Sequence, residues 1–481
     1  MYKQTKIIGT IGPACENPKI LNELVKNGMN VARLNFSHGS YENHLSLMKT
    51  IRAASIKNDK AVAILQDLQG PKIRVGKLEK PFTIKKGQKV VLGKDFDMDF
   101  DISRSVKKGE RILIEDGLME LKITDVKPSR AGSKVHGTIT CKVVNGGVVN
   151  SHKGINLPDS TITFPIMTEK DIADLKFGLQ NDVDYVALSF VRDDKDITNL
   201  KKLITKYLPK GMMAPKVIAK IERKEAVANF DSILKVTDAI MVARGDLGVE
   251  IDDSQVPMIQ KDLIAKCNAY AKPVIVATQM LDSMIRNPRP TRAEVSDVAN
   301  SVIDHADAVM LSGETATGSY PVKAVTEMRR IIEATEASPY DDMPAHPFGQ
   351  RRDSDNSVDD YKASLIAGAV LRLAIGVDAG AIIGTTESGY TARFVSRERP
   401  SAPILILTDR PKVYRQMALL WGVRPLYMKN MAALKDVEGL LKHFVTQTKM
   451  MKLVRKGEKV VLVAGNPLGE RMNLVQAVTV K

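Results

Sequence analysis

Cysteine is scarce. The 481 residues hold three, Cys15, Cys141 and Cys267, odd in number and far apart. That excludes a disulfide framework or a cysteine metal knuckle and fits reduced thiols in a cytoplasm. Aromatic residues make up only 5%, so no platform for stacking bases stands out. No apolar run approaches the ~18 residues of a membrane span. There is no short-period repeat and no low-complexity stretch. The opening Met1-Tyr2-Lys3-Gln4-Thr5-Lys6 leads into a strand-like segment without the apolar core of a signal peptide. The expectation is a cytoplasmic protein with no membrane partner.

Basic charge, in contrast, is plentiful: 71 Lys and Arg against 56 Asp and Glu, a net charge of +15. A surplus of this size suits nucleic acid. Yet the cations are spread along the chain without a basic arm, so no nucleic-acid partner is expected. A protein handling phosphorylated anions explains the sign equally well. Length suggests roughly three domains at ~150 residues each.

Apolar runs and helical spacing alternate from the start. Strand-like segments at 6–12, 31–36 and 61–65 are separated by helical patterns up to Gly28 and from Tyr41 to Ile56. Such alternation implies parallel strands with right-handed crossovers. After Gly70-Pro71 the rhythm breaks. Residues 72–164 hold short Val/Ile/Thr-rich runs between Gly-containing turns, the pattern of an inserted all-β module. The rhythm resumes with a helix over 169–181 and strands at 185–191, 217–221, 239–243, 273–278 and 308–311. Eight strand–helix units predict a closed (β/α)8 TIM barrel, with its active face at the carboxyl ends of the strands. Ser338–Asp360, polar with three prolines, reads as a linker. Beyond it, helices over 362–375 and 434–449 and strands at 381–384, 404–407 and 459–463 form a further α/β domain. The predicted fold is thus α/β: a barrel (1–71 plus 165–340), an inserted small all-β lid (72–164) and a C-terminal α/β domain (341–481).

The chemistry concentrates at Lys216–Glu250. Two apolar runs there end in charge, the first in Lys220 and Glu222, the second in Arg244, Gly245 and Asp246. Alternate strand residues share a face, so Lys220 and Glu222 point the same way. A lysine and two carboxylates at neighbouring strand ends can hold a hard divalent cation and steady an anion. A structural ion-pair network would use the same residues.

The motifs resemble the pyruvate kinase family over almost the whole chain. They are TKIIGTIGPA at the start, NVARLNFSHG (30–39), LQDLQGPKIRVG (65–76), KGINLP (153–158), LSFVR (188–192), KIE (220–222), MVARGDLGVE (241–250), ATQMLDSM (277–284), RPTRAEVSDVAN (289–300) and LSGETATGSYP (311–321). The start at strand one suggests a compact bacterial-type form. The resemblance implies roles. Lys220 bridges the transferring phosphoryl group and steadies the enolate. Glu222 and Asp246 bind Mg2+ or Mn2+, and Arg33 contacts phosphate. Thr278 lies beside the pyruvyl methyl group, and the N–H groups around Gly245 and Asp246 grip the carboxylate. Asn35, Phe36, Ser37 and His38 line the nucleotide side, with Arg74 and Lys153 on nucleotide phosphates. Asn35, Ser37, Asp67 and the carbonyl of Leu68 outline a potassium shell. Here lysine stands at position 72 where potassium-dependent members carry glutamate, and Leu68 replaces a threonine. A lysine ammonium can supply the charge potassium would bring, so K+ is expected not to be required.

The resemblance further implies phosphoenolpyruvate, ADP/ATP and pyruvate as ligands and a homotetramer. Thr386, Glu387, Ser388, Gly389, Tyr390 and Thr391 resemble the effector loop. Glu387 opposes a second phosphate there, and the facing loop Gly465–Asn473 offers only Arg471, so a monophosphate effector is expected. The alternatives are another magnesium-dependent barrel lyase or aldolase acting on a pyruvate-like enolate, and a non-enzymatic basic binding protein.

Overall fold

The computed structural model describes residues 3–130, 136–160, 165–341, 358–429, 437–465 and 471–481. Three strands come first: β1 (Lys6–Ile11), β2 (Met29–Asn35) and β3 (Ala63–Asp67). The inserted module follows with β4 (Phe82–Ile84), β5 (Lys89–Leu92), β6 (Arg111–Ile114), β7 (Met119–Lys127), β8 (Thr138–Asn145), β9 (Gly147–Val149) and β10 (Ile155–Asn156). Five more strands, β11 (Tyr185–Leu188), β12 (Lys216–Ile221), β13 (Ala239–Ala243), β14 (Val274–Ala277) and β15 (Ala308–Leu311), complete a closed parallel barrel in the order β1-β15-β14-β13-β12-β11-β3-β2. Each strand pairs with its neighbour in sequence once the insertion is skipped, as right-handed crossovers require.

The strands read as continuous apolar runs because helices cover one face and barrel side chains the other. Two layers of core result. The inner layer stacks Ile8, Val31, Leu65, Tyr185, Ile218 and Met241, among others. The outer layer joins strands to helices such as Tyr41–Lys57 and Pro321–Glu336. The latter helix starts on a proline, whose missing N–H costs nothing there. Capping boxes at Thr168/Asp171 and Thr291/Glu294 fix two other helix starts.

The insertion has its own core of twenty-odd apolar residues around Val90, Ile112, Leu121 and Ile139, under a sheet ordered β10-β6-β7-β8-β5 and a β4-β9 ribbon. It leaves the barrel at Gly70, whose φ is +67°. A Cβ there would approach Phe190 at 3.1 Å and Ser189 at 3.2 Å, so glycine is favoured on both counts.

The C-terminal part carries β16 (Ala381–Thr385), β17 (Ile404–Thr408), β18 (Val423–Tyr427), β19 (Lys459–Ala464) and β20 (Leu474–Thr479), ordered β18-β17-β16-β19-β20 with only β20 antiparallel. It packs on the amino-terminal end of the barrel. Ala418 and Leu419 plug the inner core layer. Arg415 binds Asp184 at 2.7 Å, the Tyr185 hydroxyl donates to the Gln416 carbonyl at 2.6 Å, and Arg399 meets Asp307 at 3.3 Å. The carboxyl end of the barrel is thereby left to the insertion. Most of the Ser338–Asp360 linker lies outside the described residues, as do the beginning of the 434–449 helix and residues 466–470 of the Gly465–Asn473 loop. No described helix is long and apolar enough to cross a membrane.

Candidate active site

Three cations and three carboxylates meet at the carboxyl ends of β2, β3, β12 and β13. Asp67, the last residue of β3, is their hub. Its Oδ2 accepts from Arg33 Nε at 2.7 Å, and its Oδ1 faces Lys220 Nζ at 3.4 Å. Burial pushes the Asp67 carboxyl up, but the Lys220 and Arg33 charges outweigh it and hold it below its usual range. Arg33 is fixed further by Thr10 Oγ1 at 3.0 Å.

Lys220 Nζ donates to Ser189 Oγ at 2.8 Å and pairs with Glu222 Oε1, also at 2.8 Å. Burial alone would lower the pKa of this ammonium. The charges of Asp67 and Glu222 more than offset that, and its pKa lies above the ordinary lysine value. Lys220 is therefore a fixed positive charge, suited to stabilising an anion and unsuited to acting as a base. Glu222 is buried, and its Oε2 accepts from the Phe190 N–H at 2.7 Å. Its pKa is raised by burial and, against Lys220, by the charge of Asp246. The two carboxylates therefore repel each other across a site open to solvent on the Asp246 side. Two hard oxygen donors so placed fit a magnesium ion that completes its shell with water and substrate oxygens. No larger cluster of metal-ligating side chains occurs among the described residues.

Asp246 lies in the first turn of a short helix, Arg244–Glu250, that starts directly off β13. The Gly245 N–H donates to Thr278 Oγ1 at 2.8 Å, and that hydroxyl donates to the Ala277 carbonyl at 2.5 Å. Thr278 and Gln279 both have positive φ, +69° and +53°, and Phe190 stands at +57°. Three side-chain-bearing residues in a costly conformation around one site mark strained loops held by their surroundings. Part of that hold comes from Arg244, which binds Asp297 at 2.7 Å and the Thr278 carbonyl at 2.9 Å.

Lys72 comes down from the insertion onto the site. Its Nζ lies 3.3 Å from Asp246 Oδ1, with the side chain 29% exposed. This ammonium, expected to supply the charge potassium would bring, has the Asp246 carboxylate as its partner. Asn35 Oδ1 accepts from the Ser37 N–H at 3.1 Å, and the Leu68 carbonyl accepts from Ser189 Oγ at 2.8 Å. The Leu68 side chain is buried. On the nucleotide side, the Phe36 ring is buried and stacked on His44 at 4.1 Å, His38 is exposed with its carbonyl bound by the His44 ring, and Ser37 is half-buried. Arg74 donates to the His152 carbonyl at 3.0 Å, and Lys153 is paired with Glu115. Both thus sit in the insertion's first strand contact, Arg74 opposite Gly154. In the effector-like loop, Thr386 Oγ1 accepts from the Gly389 N–H at 3.0 Å, Glu387 and Ser388 are exposed, Thr391 is buried, and Arg471 lies over the Tyr390 ring at 5.0 Å.

Ser189 and Thr10 were missed as site residues, and Arg244, singled out only as a charge ending its apolar run, was given no role. Ser189 sits directly after β11, in the same strand-end position that singled out the others. A cavity of about 1030 Å3 at the opposite end of the barrel, lined by Lys3, Lys60, Arg329 and Tyr427, shares none of these groups.

Below the insertion, Glu250 is buried with its Oε2 unbonded and Arg223 3.8 Å away. Burial, helped by the charges of Glu225 and Asp246 and opposed by Arg223, pushes it up to about 7 from 4.5. The folded chain therefore keeps a proton that the unfolded chain loses above about 4.5. The stability this group contributes is full below that pH and is lost as pH rises through about 7. Glu250→Gln is expected to raise the Tm at pH 8 and to leave it unchanged at pH 4.5. Thermal unfolding at both values checks this; the same offset at both would refute it.

This fold and site define an α/β barrel protein with an inserted all-β module, whose strand ends gather cations and carboxylates. Residues 2–325 match the pyruvate kinase barrel domain model, and residues 364–478 match the pyruvate kinase alpha/beta domain model. Pyruvate kinase of Geobacillus stearothermophilus is 43% identical over 482 residues, covering 98% of this chain and 79% of that protein. That of Clostridium acetobutylicum is 42% identical, covering 97% and 96%. A crystal structure of a pyruvate kinase from Cryptosporidium parvum superposes with a TM-score of 0.88 at 36% identity, covering all of this chain and 96% of that one. The chain belongs to the pyruvate kinase family. Its function is the transfer of a phosphoryl group from phosphoenolpyruvate to ADP, giving pyruvate and ATP, rather than a lyase or aldolase reaction.

Proposed function

We propose that Lys220, Arg33, Glu222 and Asp246 carry this reaction as an ATP:pyruvate 2-O-phosphotransferase, the last step of glycolysis, in the cytoplasm. The observation that supports it most is the Arg33–Asp67–Lys220–Glu222 chain of contacts, which holds two cations side by side at a strand-end site. Arg33 and Lys220 would meet the phosphoryl oxygens. Lys220 would also stabilise the enolate oxygen as the bond to phosphorus breaks. In such transfers positioning and charge supply most of the catalysis. Glu222 and Asp246 would hold Mg2+ or Mn2+, which when bound offsets the negative charge of the substrates. Thr278, with the first-turn N–H groups at Gly245 and Asp246, would orient the carboxylate and methylene ends. Arg74, Lys153 and the main chain of residues 35–38 would receive the nucleotide as the lid closes and excludes water. A coupled assay with phosphoenolpyruvate, ADP and a divalent metal tests the assignment; no turnover in a folded chain would sink it.

Glu222→Gln and Asp246→Asn each remove one anionic ligand while keeping its shape. Each is expected to raise the magnesium concentration for half-maximal rate several-fold. Titrations that overlay the parent would place the metal elsewhere.

The chain would work as a homotetramer whose C-terminal domain responds to a monophosphate, such as AMP or a sugar monophosphate, at 386–391. Exposed Glu387, only loosely paired with Arg410 at 4.0 Å, would repel a second phosphate. Fructose 1,6-bisphosphate at micromolar levels is accordingly expected to leave the rate unchanged. Strong activation by it would show that Glu387 does not govern the loop.

A further inference from the structure

Both stems of the insertion are fastened to the barrel beside the carboxylates proposed for the metal. On the way out, Lys72 meets Asp246 at 3.3 Å, in the first turn of the helix Arg244–Glu250. On the way back, the Ser160 carbonyl accepts from Arg223 Nη2 at 3.3 Å, and the Pro158 carbonyl accepts from Lys224 Nζ. Arg223 and Lys224 directly follow Glu222 in the chain.

Arg223 also links these two barrel segments to each other. It is buried, with its Nε and Nη2 held by Glu225 at 3.1 and 3.2 Å. The same Nη2 lies 3.8 Å from Glu250 Oε2, at the far end of the helix that carries Asp246. That oxygen is buried and has no hydrogen-bond partner among the described residues. Asn156 Oδ1, in the last strand of the insertion, is in the same condition. Asn156, Glu250 and Arg223 line one gap of about 20 Å3, room for about one water. Buried acceptors without donors call for an explanation. These two stand on opposite sides of a joint between the insertion and the barrel, each of which has its own core. A joint that shifts leaves such groups half-satisfied in one of its positions. Arg223 is the donor that spans it, and a planar guanidinium with several N–H groups can serve acceptors on both sides where an ammonium cannot hold the same fork.

We propose that Arg223, with Glu250, is a positioning residue for the reaction, a latch that seats the insertion over the nucleotide side of the site. The inference rests on the reading of the insertion as a lid that brings Arg74 and Lys153 to the nucleotide. Arg223 acts through the stem at Ser160 and touches neither substrate nor metal. Glu222 keeps its own supports, Lys220 and the Phe190 N–H, so loss of the latch falls on nucleotide binding and spares the metal.

The test is steady-state kinetics of the full chain with ADP, phosphoenolpyruvate and magnesium titrated in turn, and hydrogen exchange of the stem segments 72–75 and 155–160 alongside. Arg223→Met and Glu250→Ala are each expected to raise the KM for ADP on the order of tenfold, as for one lost charge-assisted hydrogen bond. The kcat, the KM for phosphoenolpyruvate and the magnesium requirement should stay at the parent values. In Glu250→Ala the guanidinium keeps Glu225 as its partner, so that variant leaves no unpaired charge. The double variant should be no worse than the worse single one, because each removes the same latch. Arg223→Lys, with the charge but not the fork, should resemble Arg223→Met, and Glu250→Gln, which keeps an acceptor, should resemble the parent. The stem amides should exchange faster in Arg223→Met and Glu250→Ala than in the parent. Additive losses, a loss that falls on magnesium, or stems that exchange at the parent rate overturn the latch. So does an unchanged KM for ADP with faster exchange, which would make the contact structural only. A folded parent without turnover would instead sink the reaction assigned to the site, and the exchange of the variants alone would then decide the latch.

Discussion

Lys220→Met is expected to lower kcat by a factor of a hundred or more while leaving the fold intact. The magnitude follows from what the ammonium does. Removing one preorganised stabiliser of a developing oxyanion costs roughly 10²–10³ in rate. Lys220 is better fixed than most, by Ser189, Glu222 and Asp67 at once. Methionine keeps the length of the stem and loses the charge, so the packing against β12 survives. The removal also leaves Glu222 without its cation. Magnesium should then bind no more weakly than in the parent, and the loss should fall on kcat rather than on the metal requirement. Steady-state kinetics with magnesium titrated separately tells the two apart. Unchanged turnover would remove Lys220 from the reaction. A loss restored by excess magnesium would make it a support for the metal site alone.

How much of this was legible beforehand depends on which interaction fixes each element. The barrel strands are buried on both sides, so their apolar runs stand out from any context, and β13 and β15 fall on the residues the sequence indicates. The edge strands β18 and β20 do not declare themselves. β18 contains Pro425, which an edge strand tolerates. β20 has no buried position in its whole length. Their pairing is decided by the sheet they join. The same division holds at the site. Lys220, Glu222 and Asp246 announce themselves as charges that terminate apolar runs. The role of Asp67 as the hub between Arg33 and Lys220 is invisible in sequence, because it arises from β3 standing between β2 and β11 in the closed barrel. Ser189 is an ordinary residue whose importance is its neighbours. The destination of Lys72 depends on how the insertion folds back over the barrel, which no local pattern encodes.

That destination bears on the largest difference expected from potassium-dependent members of the family: this enzyme should reach full activity without K+. Three cations, Arg33, Lys72 and Lys220, face three carboxylates, Asp67, Glu222 and Asp246. The site is balanced before substrate and magnesium arrive. Asp67, the carboxylate of the potassium outline, is already engaged by two cations and held below its usual pKa by them. A further monovalent cation would enter a site to which Lys72 has added a positive charge that potassium-dependent members lack. Two unit charges ~4 Å apart cost about 4 kcal/mol at an effective dielectric of ~20. Lys72 is directed into the site and not into solvent, so its charge is present where the family's glutamate would put the opposite one. Lys72→Glu changes the local balance by two units and sets a carboxylate against Asp246. The variant should lose most of its rate in sodium or tetramethylammonium buffer and regain a large part of it on addition of potassium at the same ionic strength. The parent should show the same kcat in both. A large potassium activation of the parent would defeat the argument, and a Lys72→Glu variant that stays fully active without potassium would show that Lys72 plays no part in the balance.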